Sequence, residues 1–201
     1  MERRTDRTRK LLLSALVLGL VGALVGAGTL SAFFSTTENA GNAFEAGTVY
    51  LEDDDAGGFM YQVSNARPLD TVERCIRVTY LGTLPADVRL YTASSIGAVG
   101  DYLDLTIDEG TMPAGTPFPG CTGFSPEATI FAGTLSGFAA AHGDYASGIA
   151  TYPGSATSWA QGDQLVYRFT LTLRDDNAAN GGAAGPMSTG LHTYTWEARN
   201  R

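Results

Sequence analysis

The sequence predicts an all-β chain: an antiparallel β-sandwich, jelly-roll-like in its connections, with one short helix. Beyond residue 44, short runs rich in Val, Ile, Thr, Tyr and Phe alternate apolar and polar side chains, the period of a half-buried strand. Gly, Pro, Asn and Asp break the chain between these runs. One segment carries helical spacing, and no internal repeat points to a solenoid or propeller. Several short strands, each with one apolar face, bury those faces by stacking two sheets.

Phe44 to Leu51 and Phe59 to Ser64 are β-prone, and the acidic and glycine-rich group from Glu52 to Gly58 turns between them. From Thr71 to Tyr80, Val72, Arg74, Ile76, Val78 and Tyr80 share one face, while Thr71, Glu73, Cys75, Arg77 and Thr79 share the other. Arg74 is placed near the start of that strand, after Pro68-Leu69-Asp70. Gly82-Thr83-Leu84-Pro85 reads as a turn. Ala86 to Thr92 follows with Ala86, Val88, Leu90 and Thr92 opposite Asp87, Arg89 and Tyr91, as a hairpin partner or a sandwich corner. Tyr102 to Asp108 alternates again through Leu103, Leu105 and Ile107. Glu109 to Pro126 is dense in Gly and Pro and reads as a loop that holds Cys121.

Thr134 to His142 is the helical turn, with Leu135, Phe138 and Ala139 at i, i+3 and i+4 and Gly143 as its stop. Leu165 to Leu173 alternates cleanly through Leu165, Tyr167, Phe169, Leu171 and Leu173. Asp175 to Gly190 is small, polar and glycine-rich, a loop or hairpin tip. His192 to Ala198 is the last strand, with Tyr194 and Trp196 on one face.

The N-terminal residues have another character. Arg3, Arg4, Arg7, Arg9 and Lys10 precede an apolar run from Leu11 to Gly28. Cations stay on the cytoplasmic side while an apolar run enters the membrane, so this order reads as a secretory signal in transient membrane contact. A retained anchor is the alternative, because a spanning helix needs about 17–25 residues. The glycines between Gly19 and Gly28 weaken the run as a helix and favour removal. Thr5 to Thr8 set Arg3-Arg4 apart from the apolar run, which speaks against a twin-arginine signal. Val25 and Ala27 supply an approximate ordinary cleavage site, whereas cutting after Ala32 puts Leu30 at a position that normally takes a small residue.

Removal of residues 1–32 leaves 169 residues, enough for one domain with a hydrophobic core. It also leaves eight basic against 19 acidic residues, a net charge of about −11, which argues against nucleic acid and anionic lipid as partners. The acidity is read first as solubility outside the cell. Lys10 is the only lysine, so the processed chain has no amine side chain for an isopeptide bond. No second apolar run or sorting sequence lies near Arg201, so surface attachment is expected to be non-covalent or through an uncleaved signal.

Cys75 and Cys121 are the only cysteines, and an even count in an exported chain favours a disulfide. It would close a loop of about 45 residues, worth roughly 3–4 kcal/mol by chain entropy; two separate buried thiols are the alternative. His142 and His192 lie in no metal-ligand spacing, His142 ending the helix and His192 on a strand edge. There is no GxSxG, phosphate-loop or dinucleotide signature, so no catalytic residue and no cofactor is assigned. Asp53, Asp54 and Asp55 before Gly57-Gly58 are weak calcium candidates, with an acidic solvated turn as the preferred reading.

Ser31-Ala32-Phe33-Phe34-Ser35 with Asn42-Ala43-Phe44-Glu45-Ala46-Gly47-Thr48-Val49-Tyr50-Leu51 resembles the processing region of the TasA/camelysin family. Val78 to Val88 and Tyr194-Thr195-Trp196-Glu197-Ala198 extend the resemblance. It implies cleavage between Ala32 and Phe33 by a SipW-type signal peptidase and a jelly-roll domain. It also implies a role as secreted subunit of extracellular matrix (biofilm) or surface fibres. The expected organisation is a signal peptide 1–32, an N-terminal segment 33–43 and a β-sandwich 44–201. Freed by cleavage, residues 33–43 can act as a donor strand to a neighbouring copy, with self-association into filaments; a disordered tail is the alternative. A secreted metallo-endopeptidase of the camelysin kind is the second functional reading, and a monomeric surface-binding module the third.

Overall fold

The computed structural model describes residues 13–18, 46–180 and 187–201. The chain divides into two compact units, 1–45 and 46–201. Of the first, residues 13–18 are helical and exposed. Ala32, Phe33 and the whole of segment 33–43 lie outside the described residues, as do Phe44 and Glu45. Among the described residues, no helix is long and apolar enough to cross a membrane.

The second unit is mostly strand. Its elements are β1 (Leu51–Asp53), β2 (Thr71–Tyr80), β3 (Ala86–Tyr91), β4 (Leu103–Thr111), β5 (Ser125–Thr134), β6 (Ile149–Thr151), β7 (Gln164–Leu173) and β8 (Thr195–Asn200). They form two antiparallel sheets, one in the order β1-β2-β7-β4-β5 and one in the order β6-β3-β8. The arrangement is sandwich-like, with no closed barrel.

The alternating faces read from the sequence meet between the sheets. Ile76, Val78 and Tyr80 of β2, Leu105 and Ile107 of β4, and Leu165, Tyr167, Phe169 and Leu171 of β7 are buried against Ala86, Val88 and Leu90 of β3. Each fully buried side chain of this size contributes about 1.5–3 kcal/mol relative to exposure. The helix Leu135–Ala141 closes one end with Leu135 and Phe138. Thr134 caps it by accepting from Gly137 N at 3.0 Å, and the ladder ends where His142 N donates to Phe138 O.

β2 and β3 lie in different sheets, so the Gly82 to Pro85 turn is a sandwich corner rather than a hairpin. The Tyr80 hydroxyl donates to Leu84 O inside that corner. A Cβ on Gly82 would stand 2.4 Å from that same hydroxyl, so the corner closes only around glycine. Arg74 keeps its place on the inward-facing register of β2, opposite Phe169, and turns its guanidinium back to Glu73 O.

Several expectations are corrected. Phe59 to Ser64 is not a strand; it is irregular and mostly exposed, with Met60 and Tyr61 alone packed against the core. Residues 46–50 carry no strand assignment, and β1 begins only at Leu51. The region read as a loop from Glu109 to Pro126 instead holds the end of β4 and the start of β5, so the loop proper is 112–124. Tyr194 precedes β8 rather than lying within it.

Candidate functional site

β5, SPEATIFAGT, is the longest open edge among the described residues. It bonds to β4 alone, while β1 and β6 span three residues each and β8 spans six with Glu197 and Arg199 on it. Native edges are normally guarded by short length, charge, proline or bulges. In β5 Pro126, Glu127 and the register shift opposite Glu109/Gly110 guard its start, and a second register shift, opposite Ile107/Asp108, falls at Ile130 in its middle. Gly110 is required there, since a Cβ would meet Ser125 O at 2.1 Å. From Thr129 to Thr134 there is no charge and no proline. Ile130 and Phe131 are half-buried against the core, while Thr129, Ala132 and Gly133 are exposed.

The outer face of the five-stranded sheet carries a strap. Cys75, outward-facing on β2, is bonded to Cys121, with Cα atoms 5.2 Å apart. Cys75 N donates to Pro119 O at 3.0 Å, and Arg77 Nη2 donates to Met112 O at 3.2 Å and Pro113 O at 2.8 Å. The Arg168 guanidinium lies 4.8 Å from the Phe124 ring centroid and 2.8 Å from Asp108 Oδ2. Together these lay loop 112–124 along the sheet and bury Cys75.

The acidic turn after β1 satisfies itself. Asp53 Oδ1 accepts from Asp55 N at 3.2 Å, Asp55 Oδ1 from Gly57 N at 2.6 Å, and Asp54 Oδ1 from Arg77 N at 2.9 Å. Burial, with the neighbouring Asp55 and Asp54 charges, raises the Asp53 carboxyl above its ordinary range. The carboxylates thus shape a turn and anchor it to β2.

Two further clusters escape sequence inspection. Inside the sandwich, Tyr167 Oη meets Thr151 Oγ1 at 2.7 Å, and Trp159 Nε1 donates to Thr151 O. Glu109 and Trp196 both act on the Tyr167 hydroxyl, which burial pushes well above its usual range. Glu109 Oε2 and Trp196 Nε1 are nevertheless buried with no hydrogen-bond partner among the described residues. Burial, then the Glu127 charge, raises the Glu109 carboxyl.

At the other cluster, Tyr61 Oη lies 2.6 Å from His192 Nε2 and 3.0 Å from Tyr194 Oη. His192 Nδ1 is 3.3 Å from Gly190 O. Burial pushes the Tyr61 phenol up to about 12, raises Tyr194 well above its usual value and lowers His192. His142, at the helix end, has Nδ1 2.7 Å from Ser147 O and packs on Phe131 and Phe138.

A peptidase zinc takes about three protein ligands and an open position. Among the described residues, no three His, Cys, Asp or Glu side chains come together to hold a metal. The cysteines are consumed by the disulfide, and the two histidines are engaged separately. These residues do not fit a catalytic zinc.

No curated protein matches the chain. A family model described as camelysin metallo-endopeptidase matches residues 8–104. That range takes in the 31–51 opening and the 78–88 corner and ends at the first residues of β4. Over this stretch, just under half of the chain, the sequence is similar to the camelysin family, consistent with the TasA/camelysin resemblance.

Proposed function

We propose that the chain is a secreted structural subunit of extracellular matrix or surface fibres, in which segment 33–43 of one copy pairs with the β5 edge of the next. The observation that carries this reading is the open, ten-residue β5, uncharged from Thr129 onward. Eleven extended residues reach about 36 Å, comparable to the length of β5. A strand added there would satisfy the free N–H and C=O groups and cover half-buried Ile130 and Phe131. Because donor and acceptor are different surfaces, the contact is heterologous and grows an open filament. Release of segment 33–43 by a SipW-type signal peptidase would couple assembly to export.

Electron microscopy of the purified exported protein tests this. Filaments are expected, and they are expected to disappear on deletion of 33–43 and in Ala132→Lys, which charges the edge at an exposed position. Filaments that persist in both variants would overturn the reading. The description of the matching family favours a second reading, a secreted metallo-endopeptidase. Chelator-sensitive casein cleavage by monodisperse protein would establish it in place of the first.

A further inference from the structure

We propose that Tyr61, His192 and Tyr194 form a pH-sensitive latch, which ties the β1–β2 connection to the chain entering β8 while His192 is neutral and releases it when His192 is protonated. The three side chains come from positions 131 and 133 residues apart in sequence; elsewhere in 58–70, Met60 packs against the core, and Leu69 N donates to Leu173 O and Leu173 N to Asp70 O. Gln62 to Asp70 are all exposed.

The direction of the hydrogen bonds makes the latch sensitive to one proton. With a neutral ring carrying its hydrogen on Nδ1, His192 donates to Gly190 O and accepts at Nε2 from the Tyr61 hydroxyl. The Tyr61 oxygen then accepts from the Tyr194 hydroxyl, so every polar hydrogen in the chain has an acceptor. A proton added at Nε2 turns the acceptor into a donor. Tyr61 must then accept from His192, and only one of the two phenol hydrogens can be used between Tyr61 and Tyr194, which leaves the other part-buried without an acceptor in the cluster.

The titratable groups facing His192 are the Tyr61 phenol from the β1–β2 connection and the Tyr194 phenol at the mouth of β8. The helix contributes Phe138, which packs on Tyr194, and the β3–β4 connection contributes the Ser94 hydroxyl, which accepts from Thr193 N. Among the described residues, no carboxylate or guanidinium acts on the His192 ring to offset the new charge. Burial accordingly holds the ring below the ordinary histidine range, with the Gly190 carbonyl opposing in part. The histidine contribution to stability is therefore present above the unfolded value and lost as pH falls toward the folded one.

Hydrogen exchange of the full-length chain at pH 7.5 and 5.0, corrected for intrinsic rates, reads both sides of the latch in residues 58–64 and 188–194. Protection there is expected to fall about tenfold at pH 5.0, the scale of one orphaned buried hydroxyl, while β2 and β7 stay protected. His192→Gln, whose amide oxygen can accept from Tyr61 without titrating, is expected to abolish the pH dependence, and His142→Gln to retain it. Nitrogen NMR of the wild-type protein gives a reading free of substitutions, and the neutral His192 ring is expected to be protonated on Nδ1. Unchanged wild-type protection at pH 5.0, an equal loss in His192→Gln, or an Nε2–H tautomer would overturn the latch.

Discussion

Removing the disulfide probes how far the strap over the five-stranded sheet depends on its covalent tie. The bridge joins residues 46 apart, and closing a loop of that length removes about 4 kcal/mol of entropy from the unfolded chain. Cys75→Ala with Cys121→Ala deletes the tie without placing a hydroxyl at a buried position. For a domain of this size, 1 kcal/mol shifts the melting temperature by about 2–4 °C, so the expected fall is roughly 8–16 °C. The contacts that remain include Arg77 to Met112 and Pro113, Arg168 over Phe124, and the main-chain bond from residue 75 N to Pro119 O. They are expected to keep the strap in place, because they act in the folded state while the bridge acts mainly on the unfolded one. The assay is calorimetric melting of the full-length chain and its double variant, with hydrogen exchange at Cys75 N, which donates to Pro119 O. A fall below about 3 °C would refute the entropic argument. A large fall with loss of protection confined to 112–124 in the native state would show instead that the bridge holds the strap down.

Glu109→Gln is expected to stabilise the protein near neutral pH by about 1 kcal/mol, since it removes the charge from a half-buried carboxylate whose Oε2 is buried and unpartnered among the described residues. The folded pKa of Glu109 is raised, so its contribution is present below the unfolded value and lost as pH rises through the folded one. The gain in denaturant midpoint should therefore grow from pH 4 to pH 7, and a gain independent of pH would contradict the assignment. Phe138→Ala removes the fully buried plug of the helix, which packs on Phe131, His142 and Tyr194. It is expected to cost about 3–5 kcal/mol in urea unfolding, and a loss under 1 kcal/mol would mean that the helix does not close the sandwich.

The strands legible in the sequence are those with one face in the core. β2, β3, β4 and β7 alternate because Ile76 and Val78, Val88 and Leu90, Leu105 and Ile107, and Tyr167 and Phe169 point between the sheets. β5 did not disclose itself because it is exposed along most of both faces and its two register shifts interrupt the period of two. Phe59 to Ser64 misled for the opposite reason, since β-branched and aromatic content stands there without a partner strand. Tyr61 is held by its hydroxyl and Met60 by packing. Cysteine parity pointed to the Cys75–Cys121 pairing, but the strap it fastens depends on arginines 77 and 168, whose partners are distant in sequence. The Tyr61–His192–Tyr194 cluster was illegible for the same reason, because tertiary contacts alone bring its members together. His142 ends the helix as its spacing indicated.

The central claim is that β5 is the acceptor edge of an assembling subunit, and hydrogen exchange across assembly tests it most directly. Amides from Thr129 to Thr134 are expected to exchange readily in the dispersed protein and to become protected in filaments, together with segment 33–43. Filaments in which 129–134 exchange as fast as in the dispersed protein would contradict the claim.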